Sequence, residues 1–268
     1  MDGRDIRLSR FFSHGNAVVV AADHGMHDGP LPGLIDLPQA MKQVDAQADA
    51  VLLAPGMLRH CAETFNYRGG PMVIARINWS SVFAFQWNYV EARNSYVMDP
   101  EEAIFNGADM VLVQLCLHTG DEANDAHNVE IFSRLTAKAH ALGYPVIGEM
   151  FPNRTSELTP EQLHDEVYKG CRIITELGAD VIKTFYTIRF EEVTRSVPIP
   201  VLGLGAEKTP TELMALELAQ REISAGAKGV VFGRNVLQSS NPRQFLGALC
   251  DVVKKGVAPE QAAKAHGF

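Results

Sequence analysis

Residues 178–184 read GADVIKT, and three further stretches repeat the phrase: QADAVLL at 47–53, GADMVLV at 107–113 and GAKGVVF at 226–232. Each is a small or polar opening followed by an aliphatic run. A glycine or alanine there ends a helix and lets the chain turn tightly into a strand. Working outward from these phrases, eight apolar segments qualify as strands. They are Ala17–Ala22, Ala50–Ala54, Met72–Ile77, Met110–Leu115, Val146–Met150, Val181–Thr184, Val201–Leu204 and Gly229–Phe232. The repeated phrase opens the second, fourth, sixth and eighth, which points to four double βα units. The runs are continuous rather than alternating, as in parallel strands covered on both faces.

Helical patterns fill the intervals: Leu37–Val44, Asp121–Leu142, Thr159–Leu177, Thr209–Ala225 and Asn241–Val253. The last three open TPEQ, TPTE and NPRQ, each a capping residue, a proline at the first helical position and Glu or Gln at the third. Alternating β and α segments over this length read as one (β/α)8 barrel domain spanning 1–268. An open doubly wound sheet is the competing architecture. Its G-x-G-x-x-G after the first strand is missing, since residues 22–30 read ADHGMHDGP.

The 268 residues are 46% hydrophobic and 21% charged, a globular composition that excludes a disordered or disulfide-scaffold chain. Net charge is −8, from 24 Lys and Arg against 32 Asp and Glu. That argues against nucleic acid or an anionic membrane as a partner, because both reward a basic face. The four cysteines, Cys61, Cys116, Cys171 and Cys250, form no C-x-x-C pair. The opening MDGRDIRLSR carries no apolar leader, and no apolar run approaches the roughly 20 residues that span a bilayer. The expectation is a cytoplasmic protein with reduced, buried thiols.

In a barrel, chemistry sits at the C-terminal ends of the strands. Lys183 lies inside the apolar sixth strand, on the same face as Val181 and Phe185. A free lysine titrates near about 10.4 and is a poor nucleophile at neutral pH. Desolvation in a barrel mouth lowers that value, and a neutral amine attacks ketones to form a Schiff base. The alternative is a lysine paired with a carboxylate. Glu149, inside the fifth strand, is a candidate acid/base with a pKa raised by burial, or one half of a salt bridge. Asp23, just past the first strand, is a candidate for binding hydroxyls or moving protons, or a turn residue. His24 and His27 beside it suggest ligand contacts; no third well-placed ligand accompanies them, so no metal is expected.

The seventh and eighth strands run into Gly205-Ala206 and Gly233-Arg234, where a barrel commonly binds phosphate. Glycines let amides approach the anion, Arg234 adds a charged fork, and Asn235–Gln238 can start a short extra helix. Asn78 and Trp79 after the third strand, His118 after the fourth and Phe151 after the fifth are candidate pocket residues.

These residues carry a resemblance. RLSRFF (7–12), DHG with its following GP (23–30), GADVIKTFY (178–186), GLGAEKT (203–209) and GAKGVVFGRNVLQ (226–238) are collinear over nearly the whole chain. They resemble the DhnA-type class I aldolases: archaeal-type fructose-bisphosphate aldolases, the aldol/transaldol synthase of aromatic biosynthesis and a thiolase-like enzyme that degrades a phosphorylated autoinducer. The resemblance implies a (β/α)8 barrel with Lys183 as Schiff-base lysine and Asp23 as the carboxylate near the reacting carbons. It also implies a phosphate site at Gly205, Gly233 and Arg234, no metal or other cofactor, and a homo-oligomer, such as a pentamer-based decamer. Two departures stand out. The bisphosphate aldolases resemble Trp-Met-Tyr-Pro at the end of the fifth strand, where the tyrosine moves a proton. This chain has Glu149-Met150-Phe151-Pro152, and a phenylalanine moves none. Ala206 stands where a second glycine is usual.

The leading expectation is therefore a metal-independent lyase acting on a phosphorylated ketose-like substrate other than ordinary fructose bisphosphate. Acyl transfer from a phosphorylated diketone to coenzyme A is the second reading. A non-catalytic phosphosugar-binding protein is the third.

Overall fold

The computed structural model describes residues 2–83 and 87–268. Ten strands form: β1 Ala17–Ala21, β2 Ala50–Leu53, β3 Met72–Arg76, β4 Asn78–Ser80, β5 Asn94–Tyr96, β6 Met110–Leu115, β7 Val146–Met150, β8 Val181–Phe185, β9 Val201–Leu204 and β10 Gly229–Phe232. Eight of them close a barrel in the order β1-β10-β9-β8-β7-β6-β3-β2, every neighbour parallel. Closure excludes the open doubly wound sheet. β4 and β5 pair antiparallel as a hairpin inserted between the third and fourth barrel strands. The helices are α1 Gly3–Phe11, α2 Gly25–Asp28, α3 Leu37–Met41, α4 Pro100–Phe105, α5 Glu122–Ala141, α6 Pro160–Glu176, α7 Phe190–Ser196, α8 Glu212–Ser224, α9 Arg234–Leu237, α10 Pro242–Lys255 and α11 Pro259–Ala265.

The cap chemistry explains most of these boundaries. Thr159 forms a full capping box with Gln162 at the start of α6, and Asn241 accepts from the Gln244 amide at the start of α10. The TPTE start is two residues off. Thr211 caps α8, while the Thr209 amide and hydroxyl both donate to Asn235 Oδ1. That tie holds Thr209 in the loop and prevents it from opening the helix. Between β2 and β3 only two one-turn 3-10 segments form, Pro55–Met57 and Ala62–Thr64.

Period-two alternation splits each barrel strand between two cores. Ala17, Val19 and Ala21 of β1 join Met72, Ile74, Ile147 and Val181 inside the barrel. Val18, Val20, Val73 and Ile182 face outward to the helices. Phe11 of α1, with Leu8 and Phe12, packs onto the interior cluster. Arg4 reaches Asp180 and Arg10 reaches Asp109, both at strand starts, so α1 lies across the N-terminal end of the barrel. The RLSRFF stretch is thus a plug, and the cavity opens at the other end.

The repeated phrase has a structural meaning. Gly107, Gly178 and Gly226 follow helices with φ between +93° and +105°, a region that L-residues rarely adopt. The aspartate two residues after Gly178 accepts the amide of the preceding strand: Val146 N–H donates to Asp180 Oδ2 at 2.8 Å. Asp49 takes the Val18 amide at 2.7 Å and Asp109 the Val73 amide at 3.0 Å in the same way. Three of the four strand pairs are pinned in this way by one carboxylate; the fourth phrase has Lys228 at that position. Asp49 is also held by Lys254 at 2.8 Å while nearly buried. Asp49→Ala orphans that amide and that ammonium and is expected to cost about 2–4 kcal/mol of stability. Urea unfolding checks this, and a loss under about 0.5 kcal/mol contradicts it.

Candidate active site

Alternation places three charged side chains in the uppermost interior layer: Arg76 ends β3, Glu149 lies in β7 and Lys183 in β8. Asp23 follows β1 by two residues. All four are buried, from 1% exposed for Glu149 to 7% for Lys183. They form one network. Lys183 Nζ lies 2.5 Å from Glu149 Oε1. Arg76 Nη2 donates to Glu149 Oε2 at 2.6 Å, and Arg76 Nε to Asp23 Oδ2 at 2.5 Å. Two carboxylates and two cations balance, which makes such burial tolerable.

The electrostatics correct one expectation. Burial does push Glu149 up, but Arg76 and Lys183 outweigh it and hold the carboxyl below its ordinary value. Glu149 is therefore held as the carboxylate in the resting network. Burial likewise opposes the charge of Asp23, and Arg76 followed by Lys183 holds it well below the usual carboxylate range. Burial pushes His24 down to about 4 and His27 down to about 3, so both imidazoles are neutral at physiological pH.

Above this network is a cavity of about 290 Å3. Asp23, His24, Glu149, Phe151 and Lys183 line it, as do Gly205, Ala206, Gly233 and Arg234. The two glycine loops are built for close approach. A Cβ on Gly205 would meet the Phe232 ring at 2.8 Å, and one on Gly233 would collide with the His24 ring and the Ala21 carbonyl. Ala206 adopts φ +48°, so alanine takes the left-handed conformation a glycine would favour. Arg234 Nη2 donates to Ala206 O at 3.0 Å, and its buried Nε has no protein partner. Asn235, buried, donates to Gly205 O at 2.8 Å and Glu207 O at 3.1 Å while accepting from Thr209. It ties the β9 and β10 loops together. Arg234 itself opens the short helix α9.

Three candidates, Asn78, Trp79 and His118, fall outside the cavity wall. Asn78 is fully buried and clamps the hairpin to β6: its Nδ2 donates to Gln114 O and its Oδ1 accepts from Gln114 N, both at 2.8 Å. His118 adopts φ +58° and points outward to Glu166 at 2.8 Å, its side chain 79% exposed. Trp79 donates to Met26 O. Conversely, Arg76 and Asn235 went unread as site residues. Arg76 carries the same signal as Lys183, a charge inside an apolar strand at the parity of its inward neighbours.

The four cysteines are free and buried. Burial pushes Cys61 up to about 11 and the other three up to about 12, so none presents a thiolate, and none lines the cavity. Among the described residues no helix is long and apolar enough to cross a membrane.

Comparison with known proteins identifies the family and the fold. The family described as DeoC/LacD family aldolase matches residues 17–239. An uncharacterized aldolase of Saccharolobus solfataricus is 31% identical over 98% of this chain and 99% of its own length. The 3-hydroxy-5-phosphonooxypentane-2,4-dione thiolase of Klebsiella pneumoniae is 30% identical over 97% of this chain and 84% of its own. A solved archaeal fructose-1,6-bisphosphate aldolase, with its catalytic Lys bound to the carbinolamine intermediate of the substrate, superposes with TM-score 0.78 at 26% identity. That match covers 93% of this chain and 98% of the other.

Proposed function

The chain belongs to the DeoC/LacD aldolase family, and from that premise we propose that it is a class I, Schiff-base aldolase acting on a phosphorylated ketone through Lys183. The observation that carries the reading is the position of Lys183. Its Nζ lies 2.5 Å from an ionised carboxylate, on a cavity that also reaches Arg234 and the two glycine loops. The solved aldolase whose catalytic Lys holds a carbinolamine supports the same chemistry.

The residues divide the work as follows. Arg234, with the amides of the Gly205 and Gly233 loops, holds the phosphate and fixes the ketone over Lys183. Glu149 takes a proton from the lysine, and the free amine attacks the carbonyl carbon. Glu149 returns that proton to the hydroxyl of the carbinolamine, which leaves as water and gives a protonated imine. In the cleavage direction Asp23 takes the proton of the β-hydroxyl, the C–C bond breaks, and its electron pair flows into the imine to give an enamine and a free aldehyde. Asp23 gives its proton to the enamine carbon, and hydrolysis of the resulting imine releases the ketone and returns Lys183. Phe151 takes no part in these proton transfers; Arg76 keeps both carboxylates ionised for them.

The test is borohydride reduction with dihydroxyacetone phosphate and phosphorylated ketoses, followed by peptide mapping. A ligand-dependent adduct on Lys183 is expected, and its absence with every ketone counts against the reading. Arg234→Met is expected to raise KM for the phosphorylated substrate by about tenfold or more, with kcat changed less.

The similarity to a thiolase and the missing hydroxyl at Phe151 favour one second reading, acyl transfer from a phosphorylated diketone to coenzyme A. Acetyl-coenzyme A formation, without aldol turnover, decides for it. Membership in an aldolase family makes the non-catalytic reading the weakest of the three.

A further inference from the structure

The cavity has two unlike ends. Among its described lining residues are four carboxylates, Asp23, Asp28, Glu149 and Glu207, and three cations, Arg76, Lys183 and Arg234. Arg76 and Lys183 are already committed to Asp23 and Glu149. Arg234 alone of the three forms no close ion pair, Asp28 acting on it only at longer range, and it sits at the β9–β10 side. This leaves charge for one phosphate and none for a second.

The far side is aromatic. Phe151 stacks edge-on against Phe83 at 4.4 Å and against Phe185 at 4.7 Å, and all three line the cavity. Phe83 arrives just after β4, the hairpin strand between β3 and β6. In the barrel order those two strands lie across from β9 and β10, so Phe83 faces the glycine loops across the mouth. Phe151, after β7, continues that wall, and Phe185, in register with Leu204, brings it round beside the Gly205 loop. The tilted, neutral His27 ring, 4.5 Å from Phe83, extends it on the other side. Arg154, one residue from the wall residue Thr155, is half exposed and lies 4.0 Å from Glu157 rather than on the cavity. Apolar surface of this kind favours a carbon chain over a dianion, which would lose its hydration there without gaining a counter-charge.

We propose that the substrate carries a single phosphate, at the Arg234 end, and an apolar, unphosphorylated group at the end that meets Phe83 and Phe151. In the cleavage direction the departing aldehyde is then aliphatic or aromatic and bears no phosphate. This inference rests on the phosphorylated-ketone reading above and deepens it.

Binding separates the two claims. Calorimetry on the intact protein compares inorganic phosphate, hexyl phosphate and hexane-1,6-diol bisphosphate, which differ only in chain and in second phosphate. Hexyl phosphate is expected to bind about tenfold or more tighter than either of the others. In Arg234→Met that affinity falls by about tenfold or more. Phe151→Lys, which supplies a cation to the wall, is expected to move the preference toward the bisphosphate. Equal or tighter binding of the bisphosphate by the unaltered protein overturns the proposal. Loss of that tightness in Arg154→Met would identify Arg154 as a second phosphate site. Failure of all three compounds to bind overturns it as well. The Schiff-base reading fails separately, through an absent Lys183 adduct, whatever the order of affinities.

Discussion

Lys183→Met is expected to abolish turnover, with a loss of about 10,000-fold or more, because among the described residues of the cavity wall no other amine can form the imine. Arg76 is a guanidinium held between two carboxylates, and Arg234 is likewise a guanidinium that does not give up its proton. Methionine fills nearly the same volume, so the barrel closes around it. The substitution still leaves two buried carboxylates facing one guanidinium. Its stability should drop, and activity must be expressed per folded molecule, with the far-ultraviolet spectrum and unfolding midpoint measured alongside. Turnover within about tenfold of the unaltered protein would remove Lys183 from the mechanism. Glu149→Gln provides the companion. It leaves the lysine in place but deprives it of its base, and kcat should fall by about 100-fold or more with a smaller change in KM. If Glu149 served only as a structural partner, KM and stability would move while kcat stayed.

The barrel was legible because its signals are local and repeated. Eight aliphatic runs, four of them opened by the same short phrase, leave few alternatives to a parallel sheet, and cap chemistry marked the starts of α6 and α10 to the residue. Lys183 and Glu149 were legible for a related reason: a charge inside an apolar strand has to be explained. Arg76 met the same criterion in MVIARI and went unread, although it holds the network together. What sequence order alone cannot convey is which way a side chain turns once a strand has ended. Asn78 has the inward parity of Arg76, but the chain leaves the barrel there to form the β4–β5 hairpin, and its amide turns to Gln114. His118 lies three residues beyond β6 in a left-handed turn that sends it to Glu166. The carboxylate pKa was misjudged for the same reason. Burial was visible in the apolar context of Glu149, whereas the two cations that outweigh it come from other strands.

Arg76→Met is expected to make stability fall as pH rises from 5 to 8, where the unaltered network adds no slope, as well as to remove activity. In the unaltered protein Asp23 and Glu149 have folded pKa values depressed below their unfolded values of about 3.9 and 4.3. Their contribution is complete above the unfolded values and is lost as pH falls through the folded ones, so this network adds no slope between pH 5 and 8. Removing Arg76 takes away the largest opposing charge and leaves burial, the strongest influence on both groups, acting with only Lys183 against it. At least one carboxyl then rises above its unfolded value and is protonated in the folded state at mildly acidic pH. The folded chain now binds more protons than the unfolded one, so stability declines as pH rises through the new folded pKa. The overall cost near neutrality should be about 3–5 kcal/mol, as for other buried ion pairs deprived of one partner. Urea unfolding at pH 5 and pH 8 reads both effects: a variant more stable at pH 5, set against an unaltered protein without that preference. A variant with the same slope as the unaltered protein would mean that Arg76 does not control the two carboxylates. The catalytic base assigned to Glu149 would then need another source for its ionised state.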